Sequence, residues 1–274
     1  MAELRPACQE MVSHTQEIIA EEKESQVSLN KEVIKGFKNT KSFNIFVYCG
    51  GKCGSSTLLN TFTKNNYSAI QIHGNSYYMR VINRSGYTSF NLINASHDEY
   101  ETIYLIDSYR TPIERKISSF FQNIRQHVPN YKNLTIAELI AIFNKQFIYT
   151  LEEYHPINDV LTHYQLPLFT SFNYEKKYNL VKKENKIFIK ILFKDIDNWE
   201  TILSGIFQKP ITIYPDNLTS DTENYSLYKE FLKKYKVPKA YLDVMEQNDT
   251  EFKIYNTAEE QQAYITKWME RINV

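Results

Sequence analysis

Cysteine is scarce, with Cys8, Cys49 and Cys53 the only three in 274 residues. Their number is odd, and the close pair is spaced C-x3-C, which matches neither a redox C-x-x-C nor a usual zinc knuckle. A disulfide framework is therefore not expected, and a reducing, cytoplasmic compartment is. Charge of one sign is lacking as well: 32 Lys and Arg balance 32 Asp and Glu. Nothing global recruits nucleic acid or an anionic membrane surface, so any anion must be bound at a local site. No apolar run approaches the roughly 20 residues that span a bilayer. The stretch "MAELRPACQEMVSHTQEIIAEEKES" shows no basic start followed by an apolar h-region, so neither a signal peptide nor a membrane span is expected. Repeats, low-complexity segments and long linkers are also missing.

At 42% hydrophobic and 14% aromatic residues, the chain can bury one large core or two small ones. Residues 1–40 read as a helical extension, with Met11, Ile18, Ile19, Val33, Ile34 and Phe37 at roughly helical spacing. Residues 41–274 read as one domain. "FNIFVY" is a β-favouring run, "SSTLLNTFTKN" a helix with Leu58, Leu59 and Phe62 on one face, and "YSAIQIH" a second strand. A strand, helix and strand in so few residues is a βαβ unit, which forces a parallel pair. "ETIYLID" predicts a buried central strand. A helix follows it, with Thr111 as N-cap, Pro112 at N1 and Glu114 placed to complete a capping box. Residues 135–164 look helical, with Pro156 starting the last piece. "KKYNLV" and "KIFIKILF" read as strands around the turn "KKEN", "NWETILSGIF" as a helix, and Thr257 with Glu260 as the capping box of a closing helix. The alternation argues for a three-layer α/β domain, a central and mostly parallel sheet flanked by helices.

"YCGGKCGSSTLL", residues 48–59, lies between the first strand and the first helix. A helix N-terminus leaves four N–H groups unpaired and carries about half a positive charge, so a glycine-rich turn feeding it is a ready anion cradle. Gly50, Gly51 and Gly54 let the backbone approach a phosphate, and Ser55, Ser56 and Thr57 can donate from their hydroxyls. The strict ATP-binding loop reads G-x-x-x-x-G-K-[ST], with its lysine directly before the hydroxyl residue. Lys52 instead precedes Gly54 by two positions, which suits a metal-free transfer with the cation beside the bond being broken.

"YRTPIERKISSFF", residues 109–121, sets Arg110 just past the third strand and Ser118 eight residues on, inside the following helix. With the loop, this segment closely resembles the sulfotransferase superfamily, whose enzymes use 3′-phosphoadenosine 5′-phosphosulfate (PAPS) on a P-loop-type fold. The resemblance covers about residues 43–208 in spaced motifs. It implies that Lys52, Cys53, Gly54, Ser55, Ser56 and Thr57 hold the 5′-phosphosulfate. It also implies that Arg110 and Ser118 hold the 3′-phosphate, with 3′-phosphoadenosine 5′-phosphate (PAP) as product and no metal. Phe120 takes the family's aromatic position, whereas Lys194 stands where an acidic residue is common. The tail from "NLTSDTENYSLYKEF" to "WMERI" more loosely resembles bacterial proteins of capsular polysaccharide synthesis.

Sulfuryl transfer needs a group to neutralise charge on the departing phosphate oxygen and a base for the acceptor hydroxyl. Lys52 is assigned the first role. His73 is the candidate base, because it ends the second strand, where residues point into the crevice above the strand carboxyl ends, and a histidine suits proton abstraction near neutrality. "IQIHGN" resembles the post-strand histidine of the uronyl 2-O-sulfotransferase branch. A histidine that merely caps the strand is the alternative, with His97, Glu99 and His155 in reserve. A helix dipole can lower the pKa of a cysteine at the loop crown, but Cys53 reads rather as a small tolerated residue there. The acceptor is expected to be a carbohydrate or another small hydroxylated molecule, in a pocket built by residues 75–100 and 125–175. Two other readings stay open. One is an ATP- and magnesium-dependent P-loop phosphotransferase, with Asp107 of "IYLID" positioning the metal; the other is a nucleotide-binding protein without catalysis.

Overall fold

The computed structural model describes residues 42–73, 88–97, 99–149, 156–216 and 223–273. The extension read at residues 1–40 lies outside the described residues, as does His155. The described residues fall in two compact units. The smaller, seen over residues 42, 88–97 and 99–101, holds one helix, Ser89–Ala95, whose N-cap Thr88 exchanges bonds with Asn91. His97 and Glu99 belong to it.

The larger unit opens with β1, Ile45–Tyr48, every residue of it buried. The glycine loop leads into α1, Ser55–Lys64, and β2, Ala69–Ile72, returns parallel to β1. Next come β3, Ile103–Tyr109, and α2, Pro112–Gln122. Helices α3, Ile124–His127, α4, Ile136–Ile142, and α5, Pro156–His163, precede the antiparallel hairpin of β4, Tyr178–Lys183, and β5, Lys186–Leu192. Then follow α6, Trp199–Phe207, and α7, Tyr225–Lys234. Next come α8, Lys239–Asn248, α9, Thr250–Tyr255, and α10, Ala258–Met269, after which Ile272–Asn273 pairs in parallel with Val237–Pro238 as a separate two-stranded sheet. The sheet order is β2-β1-β3-β5-β4, all parallel but for the edge strand β4. This is the expected α/β architecture with a central, mostly parallel sheet. Among the described residues no helix is long and apolar enough to cross a membrane.

Packing explains the pattern. Buried parallel strands read as continuous apolar runs, and β3 is central, with six of its seven residues buried. On one face Ile45, Val47, Ile106, Ile189 and Ile191 meet Leu58 and Phe62 of α1 and Trp199, Leu203 and Phe207 of α6. Helix α5 packs against β3 and β5. A second core is helical, built from Ile117, Phe120 and Phe121 of α2 with Phe143, Phe231, Tyr235 and Trp268. The capping box of α10 forms as expected between Thr257 and Glu260. That expected of α2 does not: Thr111 is the N-cap but its side chain caps nothing, because the Glu114 carboxylate is drawn off by the Tyr264 hydroxyl and Lys267 Nζ, each at 2.7 Å.

A buried ionic group lies within the larger unit. Lys190 Nζ, 2% exposed, meets Asp107 Oδ2 at 2.7 Å and Glu251 Oε2 at 3.5 Å, and Asp107 Oδ1 accepts the Ser108 N–H at 2.7 Å. Burial alone would push the ammonium down, but the two carboxylates hold it well above the ordinary lysine value. Removing one partner of a buried pair typically costs about 3–5 kcal/mol, because the remaining charge is stranded. Lys190→Met is accordingly expected to destabilise the fold by that amount in urea unfolding, and an unchanged midpoint would show that the pair carries no net weight.

Candidate functional site

The strand order dictates where a crevice opens. From β1 the chain runs outward to β2 on one side, and β3 lies on the other, so the loops after β1 and β3 diverge at the carboxyl ends of adjacent parallel strands. A cleft of about 240 Å³ occupies this point, lined by Gly51, Lys52, Gly54, Ser55, Ser56, Thr57, Gln71, His73, Arg110, Ser118, Gln122, Phe193, Ile196 and Asp216. All the residues assigned to the donor or to catalysis line it except Cys53, whereas Gly50 and Asp107 line a neighbouring cavity and His97 and Glu99 belong to the smaller unit. The Cys53 thiol is 2% exposed, donates to the Gly51 carbonyl at 3.6 Å, and lines a separate cavity of about 10 Å³ with Asp107, Arg115 and Lys190. That is room for about one water. Burial pushes the thiol above its ordinary value.

The loop is held in an unusual backbone form. Lys52 has φ 64° and Gly54 φ 84°, the left-handed region, which costs a side-chain-bearing residue of order 1–3 kcal/mol and persists where its surroundings impose it. At Lys52 the restraint is visible: Arg110 Nη1 donates to the Lys52 carbonyl at 3.0 Å, tying the end of β3 to the loop after β1. Gly54 is the N-cap of α1 and supplies no side chain, so the first amides of the helix, at Ser55, Ser56 and Thr57, have no intrahelical acceptor.

The cleft is cationic. Burial pushes the Lys52 ammonium below the ordinary lysine value, and the Arg110 guanidinium pushes it the same way. No ion pair joins either group to a carboxylate among the described residues. Arg110 stacks 4.6 Å above the Phe193 ring. The Ser118 hydroxyl is 3% exposed and its Oγ has no hydrogen-bond partner among the described residues. A buried hydroxyl without a partner loses its hydration for nothing, so the cleft offers cations and donors that an anionic ligand would satisfy. No family model matches this chain, and neither a curated protein nor a solved structure matches it.

The remaining side chains divide their work. His73 Nδ1 lies 2.8 Å from the Cys49 carbonyl oxygen, and its Nε2 meets Gln71 Nε2, which also donates to Ser55 Oγ at 2.8 Å. Thr57 Oγ1 donates to the Asp216 carbonyl and accepts the Asp216 N–H, both at 3.2 Å. Its hydroxyl hydrogen is thus spent on protein, and only its amide remains for a ligand. Residues 211–216 lie along α1, where Asn60 donates to the Tyr214 carbonyl, Thr61 Oγ1 accepts the Tyr214 N–H, and Asn65 bonds both backbone polar groups of Thr212. This brings Asp216 to the cleft.

Gln71, Gln122, Phe193, Ile196 and Asp216 escaped sequence reasoning. Two carried a usable signal: Gln71 is two residues before His73 on a strand, and Gln122 four after Ser118 on a helix, so each shares a face with a named residue. Because the Ser118 hydroxyl is unsatisfied, Ser118→Ala is expected to leave the ligand-free melting temperature unchanged or to raise it, by about 1 kcal/mol of stability. A clear loss of stability would show that the hydroxyl is bonded in the folded protein and does not wait for a ligand.

Proposed function

We propose that the chain is a sulfotransferase of P-loop type, moving a sulfuryl group from PAPS to a hydroxyl of a carbohydrate or other small acceptor. The observation that carries this reading is one cleft that joins Lys52 and the amide end of α1 to Arg110 and to the Ser118 hydroxyl, which has no partner among the described residues. A donor with two separated anionic groups fits those two seats. Lys52 and the amides of Ser55, Ser56 and Thr57 take the 5′-phosphosulfate, and Arg110 with Ser118 the 3′-phosphate. Phe193 and Ile196 add an apolar wall between polar groups. A cytoplasmic setting belongs to this reading.

In the transfer, the acceptor O–H gives its proton to His73 Nε2 as the new O–S bond forms. The bond from sulfur to the phosphate oxygen breaks, and its electron pair stays on that oxygen, where Lys52 and the amides face it. His73 is held for the task by the bond from its Nδ1 to the Cys49 carbonyl, and its Nε2 lone pair, met by Gln71 Nε2, opens to the acceptor as that amide turns aside. The magnesium-dependent reading loses ground on Asp107, whose carboxylate is bonded by Lys190 and by the Ser108 N–H rather than left for a metal.

Two measurements test the proposal. PAP at 100 times its Kd stabilises the fold by about 2.7 kcal/mol, so it should raise the melting temperature where ATP with magnesium does not; the reverse ranking would overturn the reading. Lys52→Ala is expected to keep the fold and lose roughly 10²–10³ in kcat on a panel of hydroxylated acceptors with PAPS. Wild-type turnover in the folded variant would remove Lys52 from the chemistry.

A further inference from the structure

We propose that Gln71 is a positioning residue that sets the proton on His73 and the hydroxyl of Ser55 together. Side chains two apart in an extended chain share a face, and His73, the residue after β2, meets Gln71 on one side while Ile72, fully buried, lies on the other. The register of β1 with β2 pairs Val47 with Gln71 and Tyr48 with Ile72. It thereby brings His73 level with Cys49, whose carbonyl oxygen lies 2.8 Å from His73 Nδ1.

A carbonyl only accepts, so Nδ1 carries the hydrogen. In the neutral ring Nε2 is then a bare acceptor, and whatever faces it must donate. The Gln71 amide nitrogen does so, and the same group donates to Ser55 Oγ at 2.8 Å. With one Ser55 lone pair taken in this way, the Ser55 hydrogen turns away from Gln71 and is left for an anion in the cleft that Ser55 lines. One carboxamide therefore orders a chain from the Cys49 carbonyl through His73 to the anion-binding loop.

The chain also couples the two ends. Once Nε2 takes a proton it can no longer accept, and the Gln71 amide must turn to present its oxygen. That oxygen then accepts from both the imidazolium and the Ser55 hydroxyl, which withdraws one donor from the loop. Across the cleft stand the Lys52 and Arg110 cations and the Asp216 carboxylate, and behind the ring the Cys49 thiol, which burial holds well above its ordinary value and so neutral. The catalytic consequence, a loop that loosens its hold as the acceptor's proton arrives, rests on the sulfotransferase reading; the tautomer and the coupling do not.

The experiment is ¹⁵N NMR of ring-labelled histidine in the full chain, with the His73 signal assigned by its loss in His73→Asn. Wild type is expected to show the Nδ1–H tautomer when neutral. Gln71→Glu replaces the amide by an acceptor-only carboxylate of the same shape, which favours a proton on Nε2, so the ring should hold its proton about tenfold more tightly or better. An Nε2–H tautomer in wild type, or identical His73 titrations in the two proteins, would overturn the proposal. The measurement needs no substrate, so it fails or succeeds apart from the PAPS reading, which the PAP titration decides. Where both hold, the acidic limb of kcat/KM moves to higher pH in Gln71→Glu together with the ring.

Discussion

The turn at Gly54 is the constraint on which the site depends. A Cβ there would stand 2.7 Å from the Trp199 ring and 3.1 Å from that of Phe193, and the backbone is at φ 84°. No other residue fits both conditions. The loop can therefore press against the start of α6, whose Trp199 is itself fixed by donating from Nε1 to the Leu192 carbonyl at 2.9 Å. Phe193 is shared: one ring abuts Gly54 and also lies beneath the Arg110 guanidinium. Arg110 in turn restrains Lys52. Turn, aromatic wall and both cations form one packed assembly, so the anion seats are set before any ligand arrives.

Two lysines show how the same ammonium is put to opposite uses. Lys190 is enclosed by Asp107 and Glu251, which more than offset its loss of hydration. Lys52 is partly buried beside a second cation, so its charged form is disfavoured. A charge in the first setting is satisfied and holds structure; in the second it gains from any anion that enters. The separation also has a chemical meaning. Asp107, the carboxylate beside the loop on β3, is bound within the first system, and the cleft itself is lined by cations, amides and hydroxyls with Asp216 as its carboxylate.

Much of this was legible in the chain. The apolar runs gave the strands, Pro112 after β3 gave the start of α2, and the βαβ spacing gave the parallel pair, because burial on both faces and the geometry of short crossovers act locally. The capping box of α10 was equally local. That of α2 was not, since Glu114 had to be read against Tyr264 and Lys267, some 150 residues away in sequence. The same limit hid part of the cleft. Phe193 and Asp216 reach it only through the order of β5 in the sheet and through the bonds that lay residues 211–216 along α1. Cys53 shows the converse, its thiol lining a separate cavity, since neighbours in a loop need not point the same way.

The three consecutive hydroxyls carry this point furthest. Side chains on a helix diverge by about 100° per residue, so Ser55, Ser56 and Thr57 cannot all face one ligand. Ser55 accepts from Gln71 on β2, and Thr57 exchanges bonds with the backbone of Asp216. Two of the three thus fasten neighbouring segments to the head of α1, and a hydroxyl run that looks like a ligand cradle is largely a joint. What it leaves for an anion is the row of amides, the Ser56 hydroxyl and the Ser55 hydrogen that Gln71 turns outward. Backbone amides and fixed cations hold an anion with little loss of side-chain freedom, so a site assembled in this way depends less on the identity of each hydroxyl than on the turn that aims the helix.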